Sequence, residues 1–189
     1  MDREDEQRLV TRLRAGDPSA FEAIYEAYRP RLFGFLARLS RRRDVAEDLL
    51  EETWLRLVQH AAALDDEARL APWLFTVARN LYYSWRRSRG GDPSRTSELD
   101  PAWPAPERGD SPFAAAARSE LEARIEAALA RLSLADRELI LLVGVEELTP
   151  SEVASVCGVA AVTVRARLHR ARERLAAEMG RAAPRAKAG

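Results

Sequence analysis

The stretch from 90 to 112, GGDPSRTSELDPAWPAPERGDSP, constrains this chain more than any other: it holds five of the ten prolines and three of the nine glycines. Proline lacks the backbone N–H that a helix interior needs, and glycine loses the most backbone freedom on ordering. With few large apolar side chains to offset that loss, such a segment connects folded units rather than forming one. It divides the chain into a first half, 1–89, and a second half, 113–180. A small basic tail, 181–189, is expected to be disordered.

Both halves read as helical. Alanine, leucine, arginine and glutamate dominate; all four are good helix formers, and the alternation typical of strands is scarce. In the first half Asp17 followed by Pro18 marks a helix start. Pro30 is expected to kink or break that helix. Further helices are expected over about 44–60, 72–87, 113–131, 134–147, 150–156 and 161–178. The expected fold is all-α: two small helical domains joined by the Pro/Gly-rich linker, the second containing a helix-turn-helix.

Some classes of function are excluded at this level. One cysteine, Cys157, cannot form an internal disulfide framework or a cysteine-rich zinc site. It reads as a small buried hydrophobe in a turn. No apolar run approaches a membrane span, and the acidic opening MDREDEQRLV lacks the order of a signal peptide. A cytoplasmic location without membrane insertion is the expectation. There are no paired histidines, no nucleophile beside a base and no glycine-rich phosphate loop. The chain is therefore expected not to be an enzyme and to need no metal, no cofactor and no small-molecule substrate.

The 30 basic and 30 acidic residues cancel in total but not in place. In DVAEDLLEETWLRLVQH, Ala46, Leu50, Thr53, Trp54 and Leu57 share one face at helical spacing. Asp44, Glu47, Asp48 and Glu51 share another, with Leu55 among them and no base between 44 and 52. Like charges at this spacing weaken a helix, whereas an acidic face with one apolar side chain suits docking on a basic protein surface. In PWLFTVARNLYYSWRRSR, Trp73, Leu74, Val77, Leu81 and Trp85 are expected inward. Phe75, Arg79, Tyr82 and Arg86 are expected outward. Rings interleaved with arginines fit a nucleic-acid strand, the rings stacking on bases and the guanidinium groups holding phosphates.

The third segment is TPSEVASVCGVAAVTVRARLHRARERL. Thr149, Pro150 and Glu152 form a capping-box start; a short helix, a turn at Gly158 and a longer helix make a helix-turn-helix. Val164, Leu168, Ala171 and Leu175 define the buried stripe of the longer helix. Opposite lie Val162, Ala166, His169 and Arg170, with Thr163 and Arg165 at the edges, as a helix in the major groove requires. The arginines at 165, 167, 170, 172 and 174 are expected to face DNA.

These segments, in this order, resemble the extracytoplasmic-function (ECF) group of the bacterial sigma-70 family. RDVAEDLLEETWLRLV is similar to that family's polymerase-binding segment, WLFTVARNLYYSWRR to its promoter −10 helix, and 132–175 to its −35-binding domain. The resemblance implies that Asp44, Glu47, Asp48, Glu51 and Leu55 dock on the β′ coiled coil of core RNA polymerase, with a second contact to the β flap. It implies that the loop from about Asp65 to Ala71, including Arg69, captures a flipped −10 base. Phe75, Arg79, Asn80, Tyr82 and Arg86 would hold the strand, and Thr163, Arg165, Ala166, His169 and Arg170 would read the −35 groove. The linker would run toward the RNA exit path. An anti-sigma factor is the implied regulator. Glu51, Leu70, Ala71, Ala160 and Val162 depart from the family's common residues, which leaves the promoter sequence open. The alternative reading is a stand-alone helix-turn-helix regulator that binds an operator directly.

Overall fold

The structure, a computed structural model, describes residues 3–65, 69–88 and 112–182, with side chains from 120 to 181 in the last segment. The described residues are helical, with no strand among them. The expected linker, apart from Pro112, and the tail beyond 182 lie outside the described residues.

Helix α1 (Arg3–Arg14) turns at Gly16, whose φ of 79° suits glycine, into α2 (Pro18–Ser40). Asp17 caps α2 by accepting from the Ser19 N–H at 2.9 Å, and Arg12 pairs with the same carboxylate at 2.8 Å. Hydrogen bonds from Ser19 and Arg12 hold the Asp17 carboxyl below its usual range. Helix α2 runs unbroken through Pro30, contrary to expectation. Pro30 and Glu26 are exposed, so water can reach the Glu26 carbonyl that loses its i+4 partner. Ile24, Tyr28, Leu32, Phe35 and Leu39 meanwhile anchor both sides of the proline in the core.

Helix α3 (Arg43–His60) continues as a 3₁₀ turn, Ala61–Ala63, and α4 spans Leu70–Ser88. After α5 (Pro112–Arg131) comes α6 (Leu134–Ile140), which Ser133 caps. The helix expected to run to 147 instead widens at Leu141–Val145 into a π turn, where the Glu146 N–H donates to the Leu141 carbonyl at 3.0 Å. Gly144 within the turn and Glu147 at φ 56° end the regular helix. Helix α7 (Pro150–Cys157) carries the expected capping box, ends on Gly158 at φ 66°, and is followed by α8 (Ala161–Ala182).

Helices α1 to α4 pack together, as do α5 to α8. The two groups also pack on each other, α4 against α7 and α2 against α6. Their buried side chains form one continuous apolar cluster, from Val10 through Phe75 to Ala171.

Candidate functional site

On α3 the inward stripe of Ala46, Leu50, Thr53, Trp54 and Leu57 is buried as the spacing predicts. Asp44, Glu47, Asp48 and Glu51 are exposed, and Leu55 is 50% exposed. Val58, 57% exposed and one turn further, enlarges the apolar spot; the sequence reading omitted it. The acids are not all uncompensated, because two arginines at the start of the helix, Arg42 at its N-cap and Arg43 in its first turn, reach them. Arg43 pairs with Glu47 at 2.9 Å, and Arg42 pairs with Asp44, holding that carboxyl below its usual range. Asp48 and Glu51 have no ion pair among the described residues.

Helix α4 is rotated from its expected setting. Phe75 is fully buried, its ring edge-on to Phe35 with centroids 5.3 Å apart. Tyr82 is buried and donates to the Leu39 carbonyl at 3.1 Å. Neither faces outward. The inward line is Leu70, Ala71, Leu74, Phe75, Ala78 and Tyr82, whereas Trp73, Val77, Leu81 and Trp85 are only half-buried flanks. Starting the helix at Pro72 omitted Leu70 and Ala71, which carry the start of the true stripe. Packing on α2 and α3 from one side and α7 from another leaves little of α4 free.

Asn80 and Arg86 are exposed, as expected. Arg79 is instead held: its Nε donates to Glu138 of α6 at 2.6 Å and its guanidinium lies 4.5 Å from the centroid of the Tyr83 ring. The Tyr83 hydroxyl donates to the other Glu138 oxygen at 3.2 Å. Tyr83, rather than Tyr82, is the ring that accompanies Arg79. Burial pushes the Glu138 carboxyl above its usual range, against the pull of Arg79.

Three further arginines repeat the pattern across the same seam. Arg31 pairs with Glu146 at 2.9 Å and also donates to its carbonyl. Arg38 pairs with Glu126 at 2.6 Å, and Arg69 with Glu152 at 3.0 Å. Every arginine comes from the first half and every glutamate from the second. Of the expected −10 loop, residues 66–68 lie outside the described residues; Asp65 is exposed, and Arg69 also approaches Glu6 at 3.8 Å.

On α8 the structure follows the sequence closely. Val164, Leu168 and Ala171 are buried and Leu175 half-buried; Arg165, Ala166, His169 and Arg170 are exposed, Thr163 is half-exposed, and Val162 is 68% exposed. Arg174 departs from the row, pairing with Asp136 of α6 at 2.5 Å. Asp136 fixes the second half internally, so Arg174 is structural there. The Cys157 thiol is half-buried and pushed up to about 11 by burial, consistent with a packing role. No helix among the described residues is long and apolar enough to cross a membrane.

Comparison with known proteins matches two separate stretches of the chain. Residues 24–91 match the sigma-70 region 2 family and residues 122–175 match sigma-70 region 4. The chain is 32% identical over 171 residues to RNA polymerase sigma factor CarQ of Myxococcus xanthus, covering 90% of this chain and 95% of CarQ. It is 33% identical over 156 residues to the ECF RNA polymerase sigma factor SigL of Mycobacterium tuberculosis, covering 82% and 86%. Among solved structures, the sigma factor RpoE in complex with the anti-sigma factor NepR from Bartonella quintana superposes with a TM-score of 0.68. The identity is 29%, over 85% of this chain and 96% of that one. With both regions present in order, and relatives matched over nearly their whole length, the chain belongs to the sigma-70 family as an RNA polymerase sigma factor of the ECF group.

Proposed function

We propose that this sigma factor docks on core polymerase through α3, reads the −35 element with α8, and in the free state keeps its −10 helix covered by its own second half. The observation that carries this reading is the contrast among the three faces. Asp48, Glu51, Leu55 and Val58 stand exposed on α3. Arg165, Ala166, His169 and Arg170 stand exposed on α8. On α4, by contrast, the arginine placed to hold a phosphate, Arg79, is already satisfied by a carboxylate of the second half.

In this reading residues 1–89 act as the region 2 domain and 113–180 as the region 4 domain. Asp44, Glu47, Asp48, Glu51 and Leu55 meet the β′ coiled coil, where charge complementarity steers docking and the apolar spot supplies burial. The loop 65–71, with Arg69, and the free side chains Asn80 and Arg86 engage the −10 element, joined by Arg79 once the seam opens. Phe75 and Tyr82 support that surface from inside. Ala166 has no hydrogen-bonding group, so discrimination beside it rests on apolar contact and DNA shape. The protein performs no catalysis itself and works in the cytoplasm with the polymerase. The RpoE relative is complexed with an anti-sigma factor, and a partner of that kind would hold the closed state in place.

The test is capture by purified core RNA polymerase, comparing the native chain with the Asp48→Arg/Leu55→Arg double variant. The native chain binds, and the variant loses about a hundredfold in affinity, as expected for a central apolar residue plus a reversed charge. Tight operator binding by the native chain without polymerase capture would favour the stand-alone regulator instead.

A further inference from the structure

The start of α4 has no local cap. A helix opens with backbone N–H groups that lack partners within it, and the residue ahead of Leu70 is Arg69, whose side chain carries no acceptor. The acceptor comes from α1. Glu6 Oε1 accepts from the N–H of Leu70 at 2.5 Å and of Ala71 at 3.2 Å. Pro72 has no N–H to satisfy, and the Trp73 N–H donates to the Arg69 carbonyl at 3.3 Å. Glu6 therefore supplies what the first turn of α4 lacks.

The second Glu6 oxygen lies 3.8 Å from the Arg69 guanidinium, and the Glu6 side chain is 8% exposed. Burying a carboxylate is costly unless it is hydrogen-bonded and paired. A serine or aspartate at 69 would have capped the helix at its own surface. Reaching across 64 residues instead fixes α1, the end of the loop and the start of α4 to one another. Arg69 is shared between Glu6 and Glu152 of α7. Once the two halves part, Glu6 is the partner that remains.

We propose that Glu6 is a positioning residue for −10 recognition. It clamps the point where the loop rejoins α4 and sets the direction of Arg69 in the open form. The proposal rests on the reading of 65–71 and α4 as the −10 surface.

The experiment uses holoenzyme reconstituted from core polymerase and the full chain, transcribing a promoter library randomised at the −10 and −35 positions. The chain is compared with Glu6→Gln, Glu6→Ala and Arg69→Ala. Glu6→Ala is expected to lower −10 discrimination about tenfold, with −35 preference and core affinity held within about twofold. Glu6→Gln, which keeps an acceptor oxygen for the helix start, should retain most of the discrimination. Unchanged −10 discrimination in Glu6→Ala overturns the proposal. So does a parallel loss of −10 preference, −35 preference and core binding, which is what general unfolding produces. A native holoenzyme with no −10 preference would overturn the functional reading itself, and the clamp with it.

Discussion

Arg79 on α4 and Glu138 on α6 lie 59 residues apart in the chain and 2.6 Å apart in space. The guanidinium that the −10 helix would offer to a phosphate is held by a carboxylate of the same molecule, under a tyrosine hydroxyl that donates to that carboxylate. Charge-assisted hydrogen bonds of this kind are stronger than neutral ones, and here one sits in the seam between the two halves.

Replacing Glu138 by Ala removes both acceptor oxygens and leaves Arg79 and Tyr83 in the seam without their partner. The closed form should weaken by about 1–3 kcal/mol relative to the open one. Fluorescent labels placed on the two halves would report a longer mean separation, and the free chain would bind single-stranded −10 DNA more tightly. Unchanged separation would mean that the apolar part of the seam, not this pair, holds it shut.

Closure should also depend on pH. Burial raises the carboxyls of Glu138 and Glu146 above the ordinary value of 4.5, opposed by Arg79 and Tyr83 at the first and by Arg31 and Arg38 at the second; Glu147 adds to the rise at Glu146. The closed form therefore holds more protons than the open form in the interval above 4.5. Raising the pH through that interval favours opening, and lowering it favours closure until both forms are protonated. The same label pair, followed across a pH series, checks the sign; opening on acidification would refute it.

Phe75→Ala separates a core ring from a DNA contact. As a buried ring packed on Phe35, it should cost about 3–5 kcal/mol of unfolding free energy. Urea denaturation of the free chain reads this directly. A variant as stable as the native chain, defective only in promoter opening, would place the ring outward after all.

Arg137 is buried and has no carboxylate ion pair among the described residues. Its guanidinium donates to the carbonyls of Leu129, Ala130 and Leu132 at the end of α5 and to that of Arg38 at the end of α2. Lysine cannot reproduce that fork. Arg137→Lys should destabilise the chain by about 1–3 kcal/mol, seen as a lower thermal midpoint, while core binding through α3 persists below that midpoint.

What was legible in the sequence follows the range of the interactions involved. The α7–α8 motif could be read because its signals are local: Thr149 and Glu152 close a box within one turn, Gly158 supplies the αL residue, and α8 buries a single stripe. The acidic face of α3 was equally plain, although the reach of Arg42 and Arg43 onto it was not. Helix α4 was misread because it is packed from more than one side, so aromatic residues occupy most of its circumference and periodicity alone cannot say which arc is deepest. Helix α1 was passed over because its purpose lies elsewhere in the chain, at Leu70. The seam was out of reach altogether, since its arginines find partners 59 to 115 residues away.

The seam has one more consequence, which concerns supply. Because the carboxylates that occupy the α4 face are tethered to it by a single linker, their effective concentration is set by chain length and does not vary with expression or dilution. A cell that makes more of this sigma factor makes its own restraint in equal measure. Abundance alone does not expose the −10 helix; a competitor that holds the two halves apart would.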